Sequence, residues 1–270
     1  MVNSKIKYWT VGQIDATGIR GPHEKELEDI SKSKSIVFKN VDLNILKNII
    51  EENLGGKIEN IGFNEDWTIT LEMFPEVNIH MAYSYFGDEF GDGIEAEFKF
   101  YFSGNRVIWV PGEDSATYID IVIDMIERLL KNEEPFEKDY TQKTELMEKV
   151  LNQRNIPFKY LKEEDKNDLA KFIGGTIWKT FDGWRIKREI FPEIFIELFW
   201  SAQRGLDIAF LGDKLRIISS YHAEFIGIFL INHILRYITI KNEDKDLPDI
   251  CYIMFSRLFT KDKNWNHRRR

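Results

Sequence analysis

The sequence has few of the residues and motifs from which a function is usually inferred. Cys251 is the only cysteine, so an internal disulfide is impossible and a thiolate metal site is not expected. No two of the five histidines are three or four residues apart, so we predict no metal site and no cofactor. The chain also lacks a Walker loop, a dinucleotide-binding glycine motif and a Gly-x-Ser-x-Gly elbow. With no predicted catalytic residue, a binding protein is favoured over an enzyme.

The chain has no excess of positive charge and no long apolar run. Its formal net charge is −8, and because Lys and Arg supply the phosphate contacts of nucleic-acid binders, we expect no nucleic-acid partner. No apolar run reaches the roughly 18 residues of a membrane span, and residues 1–9 lack the apolar stretch of a signal peptide. These features predict a cytoplasmic protein that does not enter a membrane.

The clearest positive feature is a stretch that occurs twice. Residues 67–83 align without a gap on residues 184–200, and seven of the seventeen positions are identical, including a Phe-Pro-Glu triplet. Glycine pairs precede both copies, at Gly55 and Gly56 and at Gly174 and Gly175. Similarity of this kind within one chain indicates an internal duplication.

The periodicity of each copy predicts its elements. Trp67, Ile69 and Leu71 alternate with polar residues as in a half-buried strand, and Asp42 is a suitable N-cap for an amphipathic helix that Gly55 ends. We predict an α+β fold in which each copy is an antiparallel sheet of about four or five strands with helices on one face. The last strands are expected at 106–110 and 215–219. The predicted organisation is an N-terminal arm (1–40), copy one (41–136), copy two with a linking helix (137–245), and a C-terminal helix and tail (246–270).

Part of the chain also resembles known proteins. The aromatic pair at 85–86, the Gly-Asp-Glu-Phe turn at 87–90, the strand at 98–102 and the acidic pair at 113–114 occur in this order. Through them, residues 79–130 resemble an uncharacterised prokaryotic α+β domain family, which implies a fold but no activity. The tandem helix–sheet–helix organisation is similar in outline to the saddle of the TATA-binding-protein family, and that likeness is one of topology.

Copy one contains a nine-residue insertion around residues 85–93, where carboxylates are dense. An EF-hand loop starting at Asp88 would have Phe90 third and Lys99 twelfth, so it lacks the required oxygen ligands. We interpret the region as a surface for a basic protein partner; the alternative is an ordinary solvated hairpin loop. The predicted partner-binding residues are Asp88, Glu89, Asp92, Glu95 and Glu97.

A second set of candidates comes from the repeated triplet and from a helix start. Glu76 and Glu193 occupy equivalent positions, and His222 lies where a helix begins. If a cleft between the copies brought these side chains together, they could carry out acid–base chemistry. The alternative is that the glutamates belong to a repeated turn and that the histidine is part of a helix cap.

These observations lead to one main hypothesis about function. The chain is expected to be a non-catalytic protein that captures a basic partner through its sheet face or its acidic insertion, as an immunity-type neutraliser would. Complementary charge speeds such encounters and makes them specific. The alternatives are an enzyme or small-ligand binder with its site in the cleft between the copies, and a subunit of a structural complex. The oligomeric state is left open.

Overall fold

The computed structural model describes residues 6–14, 21–87, 95–137 and 139–253. The chain forms two compact units, Met1–Glu133 (unit one) and Glu134–Arg270 (unit two). Each unit contains one four-stranded antiparallel sheet. The predicted α+β class with two sheet copies is therefore confirmed.

The described residues of unit one form four α-helices and one sheet. Residues of the predicted N-terminal arm (1–40) supply two of these helices, and the second of them packs on the last strand and on the long helix that follows the sheet. The strands neighbour one another in chain order. The elements are α1 (Val11–Ile14), α2 (Pro22–Lys34), α3 (Leu43–Ile49), β1 (Lys57–Glu59), β2 (Trp67–Phe74), β3 (Val77–Tyr85), β4 (Ala96–Ser103) and α4 (Gly112–Leu130).

Helix α3 begins and ends as its sequence predicts. The Asp42 carboxylate accepts hydrogen bonds from the backbone N–H groups of Asn44, at 2.7 Å, and Ile45, at 3.4 Å. These contacts satisfy donors that the first turn of a helix leaves without intrahelical partners. The helix continues into a π-helical turn, Ile50–Leu54, and stops at Gly55, whose φ of 65° is left-handed. Glycine adopts this conformation without steric cost, so both the cap and the stop are local properties of the sequence.

The core of unit one lies between its sheet and its helices. Alternate side chains of each strand face the helices, because successive side chains of a strand point to opposite sides. Ile69, Ile79 and Phe102 from the strands and Ile119 and Ile126 from α4 are completely buried there. Burial of each such side chain contributes roughly 1.5–3 kcal/mol, so this layer is the main source of stability of the unit.

Unit two has the same order of elements around its sheet. They are α5 (Glu145–Arg154), α6 (Lys166–Ile173), β5 (Thr176–Lys179), β6 (Gly183–Phe191), β7 (Ile194–Ser201), β8 (Gly205–Leu211), α7 (Ser220–Lys241) and α8 (Ile250–Ile253). Helix α5 packs on β8, as α2 packs on β4. Cys251 is buried in α8, which begins the predicted C-terminal helix, and residues 254–270 lie outside the described residues.

Helix α7 is buried around most of its circumference. It packs against α5, α6 and α8, and Glu224 from its second turn accepts hydrogen bonds from the backbone N–H, at 2.8 Å, and the hydroxyl of Thr144, the N-cap of α5. Among the described helices it alone has the length and hydropathy of a membrane span, and 89% of its apolar window is buried inside the protein. Such burial is compatible with the core helix of a soluble protein.

The Phe-Pro-Glu triplets form the same hairpin corner in both units. Glu76 and Glu193 each follow the proline and have φ of 65° and 63°. Gly104 and Gly212 lie against these corners, where a Cβ atom would be 2.0 Å from the Glu76 carbonyl oxygen and 1.9 Å from that of Glu193. Only glycine permits this approach, so the two-sheet, repeat-like arrangement extends to the detail of the turns.

The predicted strands at 106–110 and 215–219 are wrong. Short 3₁₀ turns occupy these places, at Val107–Trp109 and Leu215–Ile217. The positive φ values of Gly104, 114°, and Gly212, 128°, turn the chain away from the sheet edge, and the next residues bond to carbonyls three positions earlier. A run of so few apolar residues fits a single helical turn as well as it fits a strand. The periodicity of the sequence therefore could not distinguish the two elements.

Candidate functional site

The predicted acidic surface is described only in part. Asp88, Glu89 and Asp92 lie outside the described residues. Glu95 forms an ion pair with Lys39, and its carbonyl oxygen accepts hydrogen bonds from the N–H groups of residues 86 and 87 at 2.7 and 3.2 Å. Glu97 pairs with Lys99 at 2.7 Å. Both described carboxylates are therefore balanced by lysines of the same unit. In the described ranges no three His, Cys, Asp or Glu side chains converge as a metal ion would require.

The candidates for a cleft have local structural partners. Glu76 of unit one lies 2.9 Å from the guanidinium Nε of Arg106, and Glu193 of unit two lies 3.1 Å from the Lys214 ammonium. His222 is in the first turn of α7, where its backbone N–H donates to the N-cap serine at 3.0 Å. The turn and cap alternatives thus describe the surroundings of these residues, and a shared catalytic role stays a prediction.

The face of the unit-one sheet opposite its helices, called here the outer face, is covered by the chain itself. Tyr8 lies across it, with its ring 5.1 Å from the ring of His80 and 5.4 Å from that of Phe63. Phe63 stacks on Tyr101 with 4.3 Å between ring centroids. The outer-face residues beneath these rings are polar or small, and those that are buried are Thr68, Thr70, His80, Ala82 and Ser103.

Two local structures hold this cover in place. Trp9 extends the sheet beyond β4, since it exchanges two backbone hydrogen bonds of 2.8 Å with Phe102. The buried Glu65 carboxylate organises the β1–β2 loop, because it accepts from the N–H groups of Ile61 and Phe63 and from the hydroxyl of Thr68. Burial acts to raise the pKa of Glu65, but these hydrogen bonds outweigh it and lower the pKa below its usual range.

A chain of hydrogen bonds runs under the cover. His80 Nδ1 is 2.8 Å from the Thr70 hydroxyl, and its Nε2 is 2.8 Å from the Ser103 hydroxyl. A serine and a histidine at this distance resemble a nucleophile and its base. Burial, however, lowers the pKa of His80 to about 4, although the nearby Glu59 carboxylate acts to raise it. An imidazole of that pKa is a weak base at neutral pH, so the arrangement serves to satisfy buried polar atoms.

In the described part of unit two, no segment lies across the equivalent outer face. This face presents an apolar patch, defined here as Trp178, Phe195, Phe199 and Leu211. Trp178 is 41% exposed, Phe199 38% and Leu211 40%. The strand register places Trp178 and Phe199 on either side of Arg185 and pairs Phe195 with Leu211, with the row of Lys187 and Glu197 between the two pairs. Because exposed apolar side chains on one face commonly mark interaction sites, this patch is the strongest candidate surface among the described residues.

The described residues of unit two include no counterpart of the cover that Tyr8 and Phe63 form in unit one. Its β5–β6 connection spans only residues 180–182, whereas the β1–β2 loop of unit one spans 60–66 and carries Phe63 onto the sheet. Phe181, in the short connection, is fully exposed. A shorter loop cannot fold back across the sheet, so the aromatic side chains of β5 and β7 stay in solvent.

Cations lie over the rings of the patch. The Arg185 guanidinium is 5.6 Å from the Trp178 ring centroid and 5.7 Å from that of Phe199. The Lys187 ammonium is 4.2 Å from the Phe195 ring. Arg185 also donates to the carboxylate of Glu197 at 2.5 Å, and this carboxylate is buried in the sheet. Aromatic side chains beside an arginine are the residue types that dominate the energy of protein interfaces.

None of these residues was a predicted site residue, although the sequence contains one signal. Residues 194–200 of β7 read Ile-Phe-Ile-Glu-Leu-Phe-Trp, which is apolar in both phases of the strand period. In the repeat alignment Phe195 and Phe199 stand where copy one has Asn78 and Ala82. Apolar residues in the polar phase of a strand that has helices on one face predict a second buried or binding face.

Comparisons with known proteins add no further assignment. No family model matches the chain, and no curated protein or solved structure is significantly similar to it. The resemblance of residues 79–130 to a prokaryotic α+β family therefore stays an expectation.

Proposed function

We propose that this chain is a cytoplasmic, non-catalytic protein-binding module and that its partner docks on the apolar patch of unit two. The observation that carries the proposal is the contrast between the two outer faces. Unit one covers its own with Tyr8 and Phe63, whereas unit two leaves Trp178 and Phe199 exposed. Apolar surface left in water on one of two related sheets is a site that a second chain can cover.

The occupant of the patch is an extended segment of another protein that carries an aromatic or aliphatic side chain and a carboxylate. Tyr8 shows how such a segment covers a sheet of this kind, with its ring meeting the His80 ring of the outer face edge to face. Arg185 and Lys187 supply two positive charges at the patch; Glu197 pairs with Arg185, and the exposed carboxylates of Glu189 and Asp207 lie beside Phe195 and Phe199 on the same face. The carboxylate of the segment therefore pairs with Lys187, which lies over the Phe195 ring.

The segment proposed to dock on the patch carries negative charge, whereas the partner suggested by the insertion of copy one is basic. Glu95 and Glu97 are balanced by Lys39 and Lys99, so that hypothesis now depends on Asp88, Glu89 and Asp92. An immunity-type neutraliser of a basic protein stays a prediction for the insertion. The patch gives the protein-binding role a surface with described geometry.

Site-specific photo-crosslinking in the native host tests the docking. A photoreactive phenylalanine analogue at position 199 is expected to crosslink a single protein, and mass spectrometry should place the crosslink in an acidic, aromatic segment. The same analogue at Leu146, an equally exposed apolar residue of α5 outside the patch, is the matched control.

Substitutions then measure the contribution of the patch. Trp178→Ser with Phe199→Ser should weaken binding of the crosslinked protein at least tenfold, because each ring buries apolar surface worth about 1–2 kcal/mol. Leu146→Ser should leave the affinity unchanged. Equal affinity of the double variant, or crosslinking from position 146 alone, contradicts docking on the patch.

A further inference from the structure

Unit one contains a cavity of about 460 Å³ at the edge of its sheet, between α1, α2 and β4. This volume lies within the range of small-ligand sites, roughly 300–1,000 Å³. The floor is apolar and includes Val11, Leu27, Phe98 and Phe100. The rim carries both signs of charge, from Glu24, Glu28, Lys32, Glu97 and Lys99. An apolar floor with a charged rim suits an amphipathic ligand.

The cavity lies where the chain leaves the sheet edge. Trp9 pairs with Phe102, but from Thr10 onwards the chain leaves the sheet edge and forms helix α1. Further along β4, the Phe98 N–H donates to the Ser31 hydroxyl at 2.8 Å, so α2 caps the edge there. Every second residue of an edge strand directs its N–H and C=O outward. Phe100 lies between these two points in the same phase, so its N–H and C=O face the cavity.

We propose that this cavity binds a short extended peptide segment that pairs with Phe100 as an added strand residue. An outward N–H next to an outward C=O matches one peptide unit, which donates and accepts in the same way. An apolar side chain of the segment packs on Leu27 and Phe98. The segment thereby continues, along β4, the strand pairing that Trp9 begins.

The charge of the rim selects a basic segment. Three carboxylates and two ammonium groups line the cavity, and Lys99 is already ion-paired with Glu97. A cationic side chain of the ligand therefore enters a field that is net negative, whereas an anionic one is disfavoured. The site includes Glu97, which the sequence analysis predicted to bind a partner, and it is independent of the apolar patch in unit two.

The test uses the full chain and two capped tetrapeptides. Acetyl-Lys-Val-Lys-Val-amide is titrated into ¹⁵N-labelled protein and is expected to shift the Phe100 amide resonance and to slow its hydrogen exchange. The Phe98 amide, already bonded to Ser31, is the internal control and should keep its exchange rate. Acetyl-Glu-Val-Glu-Val-amide should bind at least fivefold more weakly.

Variants separate the cavity from the rest of the surface. Glu28→Gln with Glu97→Gln should lower the affinity of the basic tetrapeptide about fivefold. Glu148→Gln, at an exposed position of α5, is the control and should not alter it. Thr10→Trp places a large ring at the exposed mouth of the cavity and should abolish binding. An unchanged Phe102 amide exchange rate confirms that each variant is folded.

Three results overturn the proposal. They are resonance shifts confined to residues outside the cavity, equal binding of the acidic and basic peptides, and no shift of Phe100 at millimolar peptide. None of them affects crosslinking from position 199, so failure here is distinguishable from failure of the patch.

Discussion

The two units have equivalent sheets and different outer faces. Their helix-facing sides are alike: Ile69 and Ile186 occupy equivalent core positions, and both are buried. On the outer side, Thr68 and Thr70 of unit one correspond to Arg185 and Lys187 of unit two. A duplicated sheet must keep the side that packs on its helices, because the core supplies its stability. The other side can be covered by the chain in one copy and left open in the other.

The two units differ most clearly at one position of their third strands, β3 in unit one and β7 in unit two. His80 and Glu197 are equivalent, and both are buried. His80 is neutral and bonded within the covered face by Thr70 and Ser103, whereas Glu197 is paired with Arg185, whose side chain is half exposed. A buried polar group needs a partner, and the kind of partner follows from the cover. Under a cover the partner is a hydroxyl; on an open face it is an ion that reaches in from solvent.

The largest expected effect tests what the units share. Gly104→Ala and Gly212→Ala should each destabilise their own unit by about 4 kcal/mol, because the new methyl group would meet the carbonyl oxygen of Glu76 or Glu193 in a left-handed backbone. Urea unfolding followed by resonances of each unit measures this loss. Gly62→Ala, also at positive φ but with nothing within 4 Å, should cost only about 1 kcal/mol. Unequal effects of the first two variants would show that the corners are not equivalent.

A pH dependence should distinguish unit one. The pKa of His80 is lowered by burial to about 4 in the folded state, while an unfolded histidine titrates near pH 6.5. The unfolded chain therefore binds the proton first, and unit one should lose up to about 3 kcal/mol as the pH falls from 6.5 to 4. Urea unfolding at several pH values is the measurement. His80→Gln should flatten this part of the profile, and an unchanged profile in that variant would show that another group is responsible.

Removing the cover should affect one unit only. Tyr8→Ala exposes His80 and Phe63 to water and should destabilise unit one by about 2 kcal/mol, since Tyr8 is half-buried. Tyr221→Ala, at an exposed position of α7, is the control and should cost less than about 0.5 kcal/mol. Equal losses in the two variants would mean that Tyr8 does not act as a cover.

The smallest expected effect concerns the loop that carries Phe63. Glu65→Gln keeps one acceptor oxygen but removes the charge that several N–H groups share, and it should cost about 1.5 kcal/mol at pH 7. Because the pKa of Glu65 is lowered in the folded state, its contribution is complete above pH 5 and is lost as the pH falls through the folded pKa. Parent and variant should therefore converge in acid, as urea unfolding of unit one can show. A constant difference down to pH 2 would contradict this role of the carboxylate.

Features that depend on neighbouring residues follow from the amino-acid sequence alone. The repeated Phe-Pro-Glu triplet predicts the two corners, Asp42 predicts the start of α3, and Gly55 predicts its end. Strand alternation in the first copy predicts which side of β2 faces the helices. Each of these follows from backbone conformation or from the strand period, which act over a few residues and need no knowledge of the rest of the chain.

What lies on each outer face depends on contacts between distant parts of the chain. Tyr8 meets His80 across more than seventy residues of sequence, and no local period links these two positions. The same holds for Phe100. Its backbone N–H and C=O face a cavity because the chain leaves the sheet edge and enters α1 after Trp9. Cover and exposure depend on which distant segments reach the sheet, and that is settled by loop length and long-range packing rather than by propensity. The proposed surfaces of this protein lie at these places.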